Sequence, residues 1–144
     1  MINFEGKKVL VTGSNGMLGR NLIKLLHYET IGFDSSLLDI TDSLKCKKVL
    51  ENEKPNIIIH TAAYTDVEDC EINSDKAYLI NTIGTQNLVN YCIDKDILFI
   101  YISSTGIYGT KKDKEPYSEF DEVIPSTIHH KSKYEAEIIV QNHL

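Results

Sequence analysis

Two patterns of apolar and polar positions alternate along the chain. Short apolar runs predict strands over residues 8–12, 30–34, 37–40, 57–60 and 97–102. Apolar residues at helical spacing predict helices over residues 17–27, 74–94 and 131–143, and another that begins after Thr41 or Asp42 and ends before Pro55. The run at 57–60 shows no alternation, which is typical of a central parallel strand buried on both faces.

The order of these elements predicts the fold class. Strands and helices alternate, which indicates an α/β fold with a doubly wound parallel sheet. Right-handed crossovers place the first strand in the middle, so the predicted strand order is 3-2-1-4-5. Residues 64–73 and 111–125 are predicted to be charged loops, and no repeat or domain boundary interrupts the pattern.

Three glycines lie between the first predicted strand and the first predicted helix. Gly13, Gly16 and Gly19 have the spacing Gly-x-x-Gly-x-x-Gly, a variant of the dinucleotide-binding fingerprint. Backbone without Cβ atoms can approach a phosphate closely, and the helix N-terminus adds positive partial charge. The pattern predicts a turn that binds a dinucleotide, and the alternative is a tight strand-to-helix turn with no ligand.

Composition and charge narrow the function classes. The 144 residues suffice for one domain with a hydrophobic core, and a formal net charge of −6 argues against a nucleic-acid partner. The sequence has no run of about 18 apolar residues and no signal-peptide core at its start, so we expect no membrane association and a cytoplasmic location. Cys46, Cys70 and Cys92 show no metal-like clustering, so we expect reduced thiols and no metal.

Polar residues follow the predicted strands, where ligands of a doubly wound sheet bind. Asp34 ends the second strand, and its carboxylate can bond a ribose 2′-hydroxyl but would repel a 2′-phosphate. NAD(H) is therefore slightly preferred over NADP(H), unless Asp34 is only a solvated turn residue. Asp39 and Ile40 can lie along an adenine, or Asp39 can simply help to start a helix.

The ends of the fourth and fifth predicted strands also carry candidates. Residues 61–64 leave room for a cofactor, while for His60 a hydrogen-bonded structural role is favoured over a catalytic one. Hydroxyls at residues 103–105 can hold a substrate oxygen or bond the backbone at a loop start. Lys133 can reach a ribose or lower the pKa of a neighbour, and taken alone it would be an ordinary surface lysine.

Several segments fall in the order and spacing of a known family: residues 12–20, 38–42, 61–67, 102–109 and 116–121, followed by Ser132, Lys133 and Glu137. They resemble the extended short-chain dehydrogenase/reductases of the NAD-dependent epimerase/dehydratase superfamily. The resemblance covers nearly the whole chain and is greatest to the branch of dTDP-4-dehydrorhamnose reductase and its sugar-nucleotide-modifying relatives. It implies a Rossmann-like domain and hydride transfer between a nicotinamide and a sugar carbon.

The resemblance implies roles for individual residues. Ser104 takes the position of the hydroxyl residue that holds the substrate oxygen. Lys133 takes that of the lysine that binds the nicotinamide ribose and lowers the pKa of a catalytic tyrosine. Thr65, Val67 and Thr105 fall near the expected substrate. Cofactor contacts are expected at Gly13, Asn15, Gly16, Met17, Leu18, Gly19, Asp34, Asp39, Ile40, Ala62, Ala63, Tyr64, Asn81 and Lys133.

The chain departs from the family pattern in two ways. His129 stands four residues before Lys133, where the family has its proton-transferring tyrosine. Imidazole can transfer a proton, so His129 is a candidate acid/base, and a structural or cofactor-contacting role is the alternative. Lys133 would favour neutral imidazole, a poorer acid but a usable base. The chain also has about half the usual family length, so most of the C-terminal substrate lobe is expected to be absent.

These observations lead to one predicted function and two alternatives. The prediction is an NAD(P)-dependent reductase of a nucleotide-activated 4-keto-6-deoxy sugar in dTDP-rhamnose biosynthesis, with residues 1–144 as its cofactor-binding domain. The alternatives are a non-catalytic NAD(P)-binding module that regulates a partner, and a truncated product without function. A nucleotide sugar is the expected substrate, and we expect a homodimer or a partner that completes the substrate lobe.

Overall fold

A computed structural model describes residues 4–110 and 116–143 of the chain. Within these residues, a four-stranded parallel sheet carries helices on both faces. The elements in chain order are β1 (Lys8–Thr12), α1 (Met17–Leu25), β2 (Glu29–Phe33), α2 (Ser43–Glu53), β3 (Ile57–His60), α3 (Val67–Ile72), α4 (Ser74–Tyr78), a π-helical segment (Leu79–Ile83), α5 (Gly84–Cys92), β4 (Leu98–Tyr101), a 3₁₀ turn (Thr105–Tyr108) and α6 (Ile128–His143).

The strand order is β2-β1-β3-β4, and every pairing is parallel. Thr12 at the end of β1 lies opposite Phe33 on one side and His60 on the other. The segments that follow these strands therefore meet at one edge of the sheet. The order confirms the predicted α/β class and the interior position of the first strand, and it equals the predicted order without the strand at 37–40.

The strand predicted over residues 37–40 is wrong, because the backbone of this segment bonds locally instead of pairing with β2. The N–H of Leu38 donates to the carbonyl oxygen of Asp34 at 2.9 Å. The carboxylate of Asp39 accepts the N–H and the hydroxyl of Thr41 at 3.0 and 2.7 Å. The segment's buried side chains join a core with α2 and α5, which accounts for its apolar pattern.

Two hydrophobic cores cover the two faces of the sheet. On one face, Leu10 and Ile58 pack with Leu50 of α2 and Leu88 of α5. On the other face, the alternate residues of β1 and β3 pack with apolar side chains of α1. Because both faces are covered, β1 and β3 show the unbroken apolar runs seen in the sequence.

Further differences from the prediction concern helices α3 and α6. Helix α3 lies within residues 64–73, which the sequence predicts as a loop, because the Asp66 carboxylate caps it by accepting the N–H of Asp69 at 2.9 Å. Helix α6 begins three residues before the predicted start at 131, and the N–H of Lys131 donates to the carbonyl oxygen of Thr127 at 2.9 Å. The earlier start places His129 in the first turn of α6.

The second predicted charged loop is described only in part. Residues 111–115 lie outside the described residues, and residues 116–125 form neither helix nor strand. Across the described parts of the chain, every helix is too short or too polar to cross a lipid bilayer. Cys46, Cys70 and Cys92 are free and buried, and burial raises the pKa of the Cys46 thiol to about 11.

Candidate functional site

An open cleft of about 960 Å³ lies beyond the carboxyl ends of the strands. Its lining comes from the turn after β1, the segments after β2, β3 and β4, helix α4, the π-helical segment and the first turns of α6. Asn81, Val67 and Thr105, three of the predicted site residues, lie outside this lining. The predicted residues that the fold does bring together there are Gly13, Asn15, Gly16, Met17, Leu18, Gly19, Asp34, Asp39, Ile40, Ala62, Ala63, Tyr64, Thr65, Ser104, His129 and Lys133.

The glycine turn is packed too tightly to hold side chains at positions 13 and 19. Gly13 has a φ of +67°, and a Cβ there would lie 2.7 Å from the nitrogen of Ala62. A Cβ on Gly19 would collide with the carbonyl oxygen of Gly13. Gly16 closes the turn, since its N–H donates to the Gly13 carbonyl oxygen at 2.9 Å. Glycine at positions 13 and 19 is therefore required by the turn itself, whether or not a ligand binds.

The amino end of α1 gives the turn its anion-binding character. Its N-cap residue Gly16 supplies no side-chain cap, and its first turn has no acidic residue. The first N–H groups of a helix have no partner within the helix, and its dipole concentrates positive potential there. Met17 and Leu18, the first residues of α1, line the cleft. This end of the cleft therefore fits the pyrophosphate of a dinucleotide.

Asp34 stands at the rim of the cleft after β2, in a net of local hydrogen bonds. Its carboxylate accepts the hydroxyl and the N–H of Ser36 at 2.6 and 2.9 Å, and the Asn15 side-chain amide at 2.6 Å. The bond from the Ser36 hydroxyl, followed by the other local bonds, lowers the pKa of Asp34. The cleft therefore has a fixed negative charge at this rim, where Asp34 is partly exposed to solvent.

Asn81 lies behind the opposite wall of the cleft. Its side chain is 1% exposed, and its oxygen accepts the N–H of Tyr64 at 2.7 Å. Its amide group donates to the carbonyl oxygen of Tyr64 at 3.1 Å and to the hydroxyl of Ser132 at 3.0 Å. Asn81 therefore holds the wall formed by residues 61–64 against α6. It sits in the π-helical segment, a distortion often found at functional sites.

Three residues of the helical wall were not singled out by the sequence. Lys76, Leu79 and Ile80 line the cleft from α4 and the π-helical segment. The ammonium group of Lys76 lies 4.3 Å from the ring centroid of Tyr64 and 3.3 Å from its hydroxyl oxygen. Leu79 and Ile80 lie three and four residues after Lys76, a spacing that places all three on one helix face. This spacing is the sequence signal by which they could have been predicted.

The end of β4 brings a hydroxyl to the cleft. Ser104 lines the cleft, its Oγ accepts the N–H of Gly106 at 3.2 Å, and among the described residues its hydroxyl has no acceptor. Ser103 instead donates its proton to the carboxylate of Glu137. Thr105 opens the following 3₁₀ turn and is exposed. Val67 opens α3 and is 38% exposed.

His129 lies in the first turn of α6 and is 8% exposed. Its buried Nδ1 has no hydrogen-bond partner among the described residues. Burial, followed by the neighbouring His130 and Lys133, lowers the pKa of His129, so the ring is neutral at pH 7. An unpaired acceptor costs less to bury than an unpaired N–H, which favours the tautomer with its proton on Nε2.

Lys133 lies one helical turn after His129 and is 4% exposed. Its ammonium group donates to the carbonyl oxygen of Ile102 at 2.5 Å and lies 4.2 Å from the ring centroid of Tyr101. Burial lowers the pKa of Lys133 to about 8, against the opposing effect of Glu137. A buried amine of this kind can carry a positive charge into the cleft and can bond a ligand hydroxyl.

His60 and His130 lie beside the cleft but do not line it. His60 is fully buried, with both ring nitrogens in hydrogen bonds. The ring of His130 occupies the space above Gly106, where a Cβ on that glycine would collide with it. The buried Nδ1 of His130 has no partner among the described residues.

Comparisons with known proteins agree on one family. The family model described as the RmlD substrate binding domain matches residues 7–144. The dTDP-4-dehydrorhamnose reductase of Aggregatibacter actinomycetemcomitans is 37% identical over 135 residues, which cover 90% of this chain and 45% of that protein. The chain thus spans about half the length of the curated relatives it matches.

Solved structures give the same result. The crystal structure of dTDP-4-dehydrorhamnose reductase from Bacillus anthracis in complex with NADP has a TM-score of 0.90 and 36% identity, with 95% of this chain and 50% of that chain covered. The UDP-glucose 4-epimerase from Brucella ovis in complex with NAD has a TM-score of 0.87 and 26% identity, with 95% and 47% covered.

Proposed function

The chain belongs to the family described as the RmlD substrate binding domain, and on that basis we propose that it is the cofactor-binding part of an NAD(P)-dependent reductase. Its proposed substrate is a nucleotide-activated 4-keto-6-deoxy sugar. The observation that carries the proposal is the uncapped amino end of α1 at the cleft of about 960 Å³. The NADP complex of the Bacillus anthracis relative supports a dinucleotide as the ligand.

In this proposal, different parts of the cleft bind different parts of the dinucleotide. The turn at residues 13–19 and the start of α1 hold the pyrophosphate, while Asp34 bonds the adenosine ribose. Asp39, Ile40 and residues 61–64 enclose the adenosine and the linkage beyond it. When bound, the nicotinamide would supply the hydride for reduction of a carbonyl carbon.

The proposed proton chemistry depends on three residues of the other wall. The Ser104 hydroxyl donates a hydrogen bond to the substrate carbonyl oxygen and keeps its proton, while its Oγ accepts the N–H of Gly106. His129 supplies the proton that completes the alcohol, and Lys133 holds the nicotinamide ribose. Since the pKa of His129 is lowered, reduction should become faster as the pH falls below 7 and more of the ring is protonated.

The proposal includes a preference for NAD(H) over NADP(H). The Asp34 carboxylate is ionised and stands at the rim of the cleft. A 2′-phosphate beside it would be repelled, whereas a 2′-hydroxyl can donate a hydrogen bond to it. Because the Bacillus anthracis relative is in complex with NADP, the affinities of this chain for NADH and for NADPH both have to be measured.

A second candidate function is a non-catalytic NAD(P)-binding module that regulates a partner. The observation in its favour is His129, where an uncharged imidazole is a weak proton donor. A module would bind the dinucleotide through the same turn and α1 but would carry out no reduction.

We also propose that a second copy of the chain or a partner covers β4. Within the described residues this strand pairs only with β3, and Leu98 is 38% exposed. An open strand edge with apolar side chains favours association. Sedimentation that shows only monomers, with no partner retained, would contradict this.

A charge placed at the helix N-terminus tests dinucleotide binding. Met17 is 80% exposed and begins α1, so Met17→Glu should leave the fold intact, since an acidic residue there favours the helix. The new carboxylate should weaken NADH and NADPH binding, measured by fluorescence titration, by about tenfold or more. Met17→Gln is the neutral control and should bind as the wild type does. Wild-type chain that binds neither nucleotide below millimolar concentration would overturn the proposal.

A second experiment separates the enzyme from the module. Reduction of a dTDP-4-keto-6-deoxy sugar is followed by loss of NADH absorbance, with the C-terminal half of a relative supplied, since the chain spans about half the length of its relatives. His129→Phe should lower turnover by about 100-fold while NADH affinity is retained, and His129→Tyr, which introduces a phenol, should restore it. Binding of NADH without any turnover in this completed assembly would favour the module.

A further inference from the structure

His60 is a buried imidazole that the proposed reaction does not use. It ends β3, directly before the cleft wall at residues 61–64, and its side chain is 0% exposed. Its Nδ1 lies 2.7 Å from the Thr12 hydroxyl oxygen, and its Nε2 lies 3.0 Å from the Thr85 hydroxyl oxygen. Burial, followed by the charge of Lys133, lowers the pKa of His60 to about 3, so the ring is neutral at pH 7.

The neighbouring bonds fix the tautomer of this ring. The Thr85 hydroxyl donates its only proton to the carbonyl oxygen of Asn81 at 2.6 Å. It must therefore accept from His60, whose proton is on Nε2. The bare Nδ1 then accepts the Thr12 hydroxyl proton, and the Thr12 oxygen accepts the N–H of Ala62 at 3.2 Å. With the proton on Nε2 of His60, each of these hydrogen bonds has one donor and one acceptor.

This hydrogen-bonded chain ends at both walls of the cleft. At one end is Thr12, the residue before Gly13, whose hydroxyl oxygen accepts the N–H of Ala62. The backbone of Ala62 is also the part of the cleft wall that packs closely against Gly13. At the other end, Asn81 bonds both backbone groups of Tyr64 and the hydroxyl of Ser132 in α6. His60 is thus one link between the glycine turn and the helix that carries His129 and Lys133, beside the bond from the Thr61 hydroxyl to the carbonyl oxygen of Thr12 at 2.6 Å.

We propose that His60 is a positioning residue: in its Nε2–H tautomer it holds the glycine turn and residues 61–64 in the arrangement that a dinucleotide needs. The inference rests on the proposed function, since it requires that the cleft bind NAD(P)(H). Without this link the walls sample more arrangements, and the nucleotide must order them as it binds. Affinity then falls although no residue that touches the ligand has changed.

Replacement of Thr85 tests the inference without altering His60. Thr85→Val keeps the buried volume but removes the hydroxyl, and it should raise the dissociation constant of NADH about tenfold. Thr85→Ser keeps the hydroxyl and should restore wild-type affinity within about twofold. Ile57→Val, which removes a buried methyl group from the opposite end of β3, controls for lost stability and should leave affinity unchanged.

The ring nitrogens of His60 give a readout that lost stability alone would not change. Two-bond ¹⁵N–¹H spectra of the full chain should show His60 as the Nε2–H tautomer, without titration between pH 5 and 8. In Thr85→Val the proton should shift towards Nδ1, because Thr12 can accept it there. An Nδ1–H or charged ring in the wild type would overturn the inference, even if Thr85→Val failed to fold.

The outcomes separate this inference from the proposed function. Wild-type chain that binds NADH, together with Thr85→Val of equal affinity, overturns the role of His60 alone. Wild-type chain that binds neither NADH nor NADPH overturns the proposed function, and the positioning role with it. Weakened binding in Thr85→Val and rescue by Thr85→Ser, with the expected tautomer, support both.

Discussion

The two sides of the cleft are built from different parts of the polypeptide. The glycine side, residues 13–19, presents backbone N–H groups and needs glycine only where the chain passes close to itself. The opposite side, which we propose to be catalytic and call the catalytic side, is formed by Ser104, His129 and Lys133 and presents side-chain groups. The glycine side resembles the family at each glycine, whereas the catalytic side departs from the expected pattern at His129. A change of side chain on the catalytic side therefore leaves the backbone site on the glycine side intact.

The largest expected effect breaks the glycine side. Gly13→Ala should lower the free energy of unfolding by about 2–4 kcal/mol, because the residue has a φ of +67° and its Cβ would lie 2.7 Å from the Ala62 nitrogen. Gly16→Ala is the matched control, since its φ is −69° and its Cβ would meet only the Gly13 carbonyl oxygen, at 3.1 Å. Urea unfolding measures both, and equal losses would contradict the distinction.

The next effect concerns His60, which lies beneath both sides. Its folded pKa of about 3 is below the unfolded value of about 6.5, so its contribution to stability is complete above pH 6.5 and is lost as the pH falls towards 3. Between pH 7 and 5 the loss should be about 2 kcal/mol. His60→Gln lacks this contribution, so its urea midpoint should fall less over the same interval. An equal fall of the urea midpoint in the wild type and in His60→Gln between pH 7 and 5 would contradict this contribution of His60.

A smaller effect tests whether Asp34, on the glycine side of the cleft, selects between NADH and NADPH. Asp34→Asn should shift the ratio of NADH to NADPH affinity towards NADPH by about three- to tenfold, because a partly exposed charge is removed from the place proposed for the ribose. Ser36→Ala removes a hydrogen bond to the same carboxylate but keeps its charge, and it should leave the ratio unchanged. If the ratio in Asp34→Asn equals that of the wild type, Asp34 does not select the nucleotide.

The smallest effect tests the electrostatics of the catalytic side. Lys133 is one of the groups that lower the pKa of His129, so Lys133→Met should raise the midpoint of the His129 titration followed by NMR. Lys131→Met removes an exposed lysine from the same helix and should leave the midpoint unchanged. A midpoint that stays constant in Lys133→Met would show that burial and His130 alone set this pKa.

The sequence predicted the glycine side well because its signal is local. Strand, turn and helix follow one another over residues 8–25, and close packing at Gly13 and Gly19 requires the glycines. The predicted strand at 37–40 was wrong although Leu38 and Ile40 are buried as a strand there would require. The N–H groups of Leu37 and Leu38 bond the carboxylate and the carbonyl oxygen of Asp34 instead of a neighbouring strand.

The parts that the sequence could not predict depend on distant partners. His60 bonds Thr12 and Thr85, which stand 48 and 25 positions away in the chain. Asn81, a predicted cofactor contact, lies outside the lining of the cleft, and its amide bonds the backbone of Tyr64 and the hydroxyl of Ser132, 51 positions away. The sequence favoured a hydrogen-bonded structural role for His60, but only the three-dimensional arrangement shows which groups His60 and Asn81 bond.

The contact between Gly106 and His130 makes these two positions interdependent. The imidazole fills the space that any side chain at position 106 would enter, so replacement of this glycine requires the ring to move or position 130 to become smaller. Single changes at either site should therefore behave differently from the pair, a case of epistasis between residues 24 positions apart. Directed evolution beside this cleft would reach more variants if both codons were varied in one library than if Gly106 were varied alone.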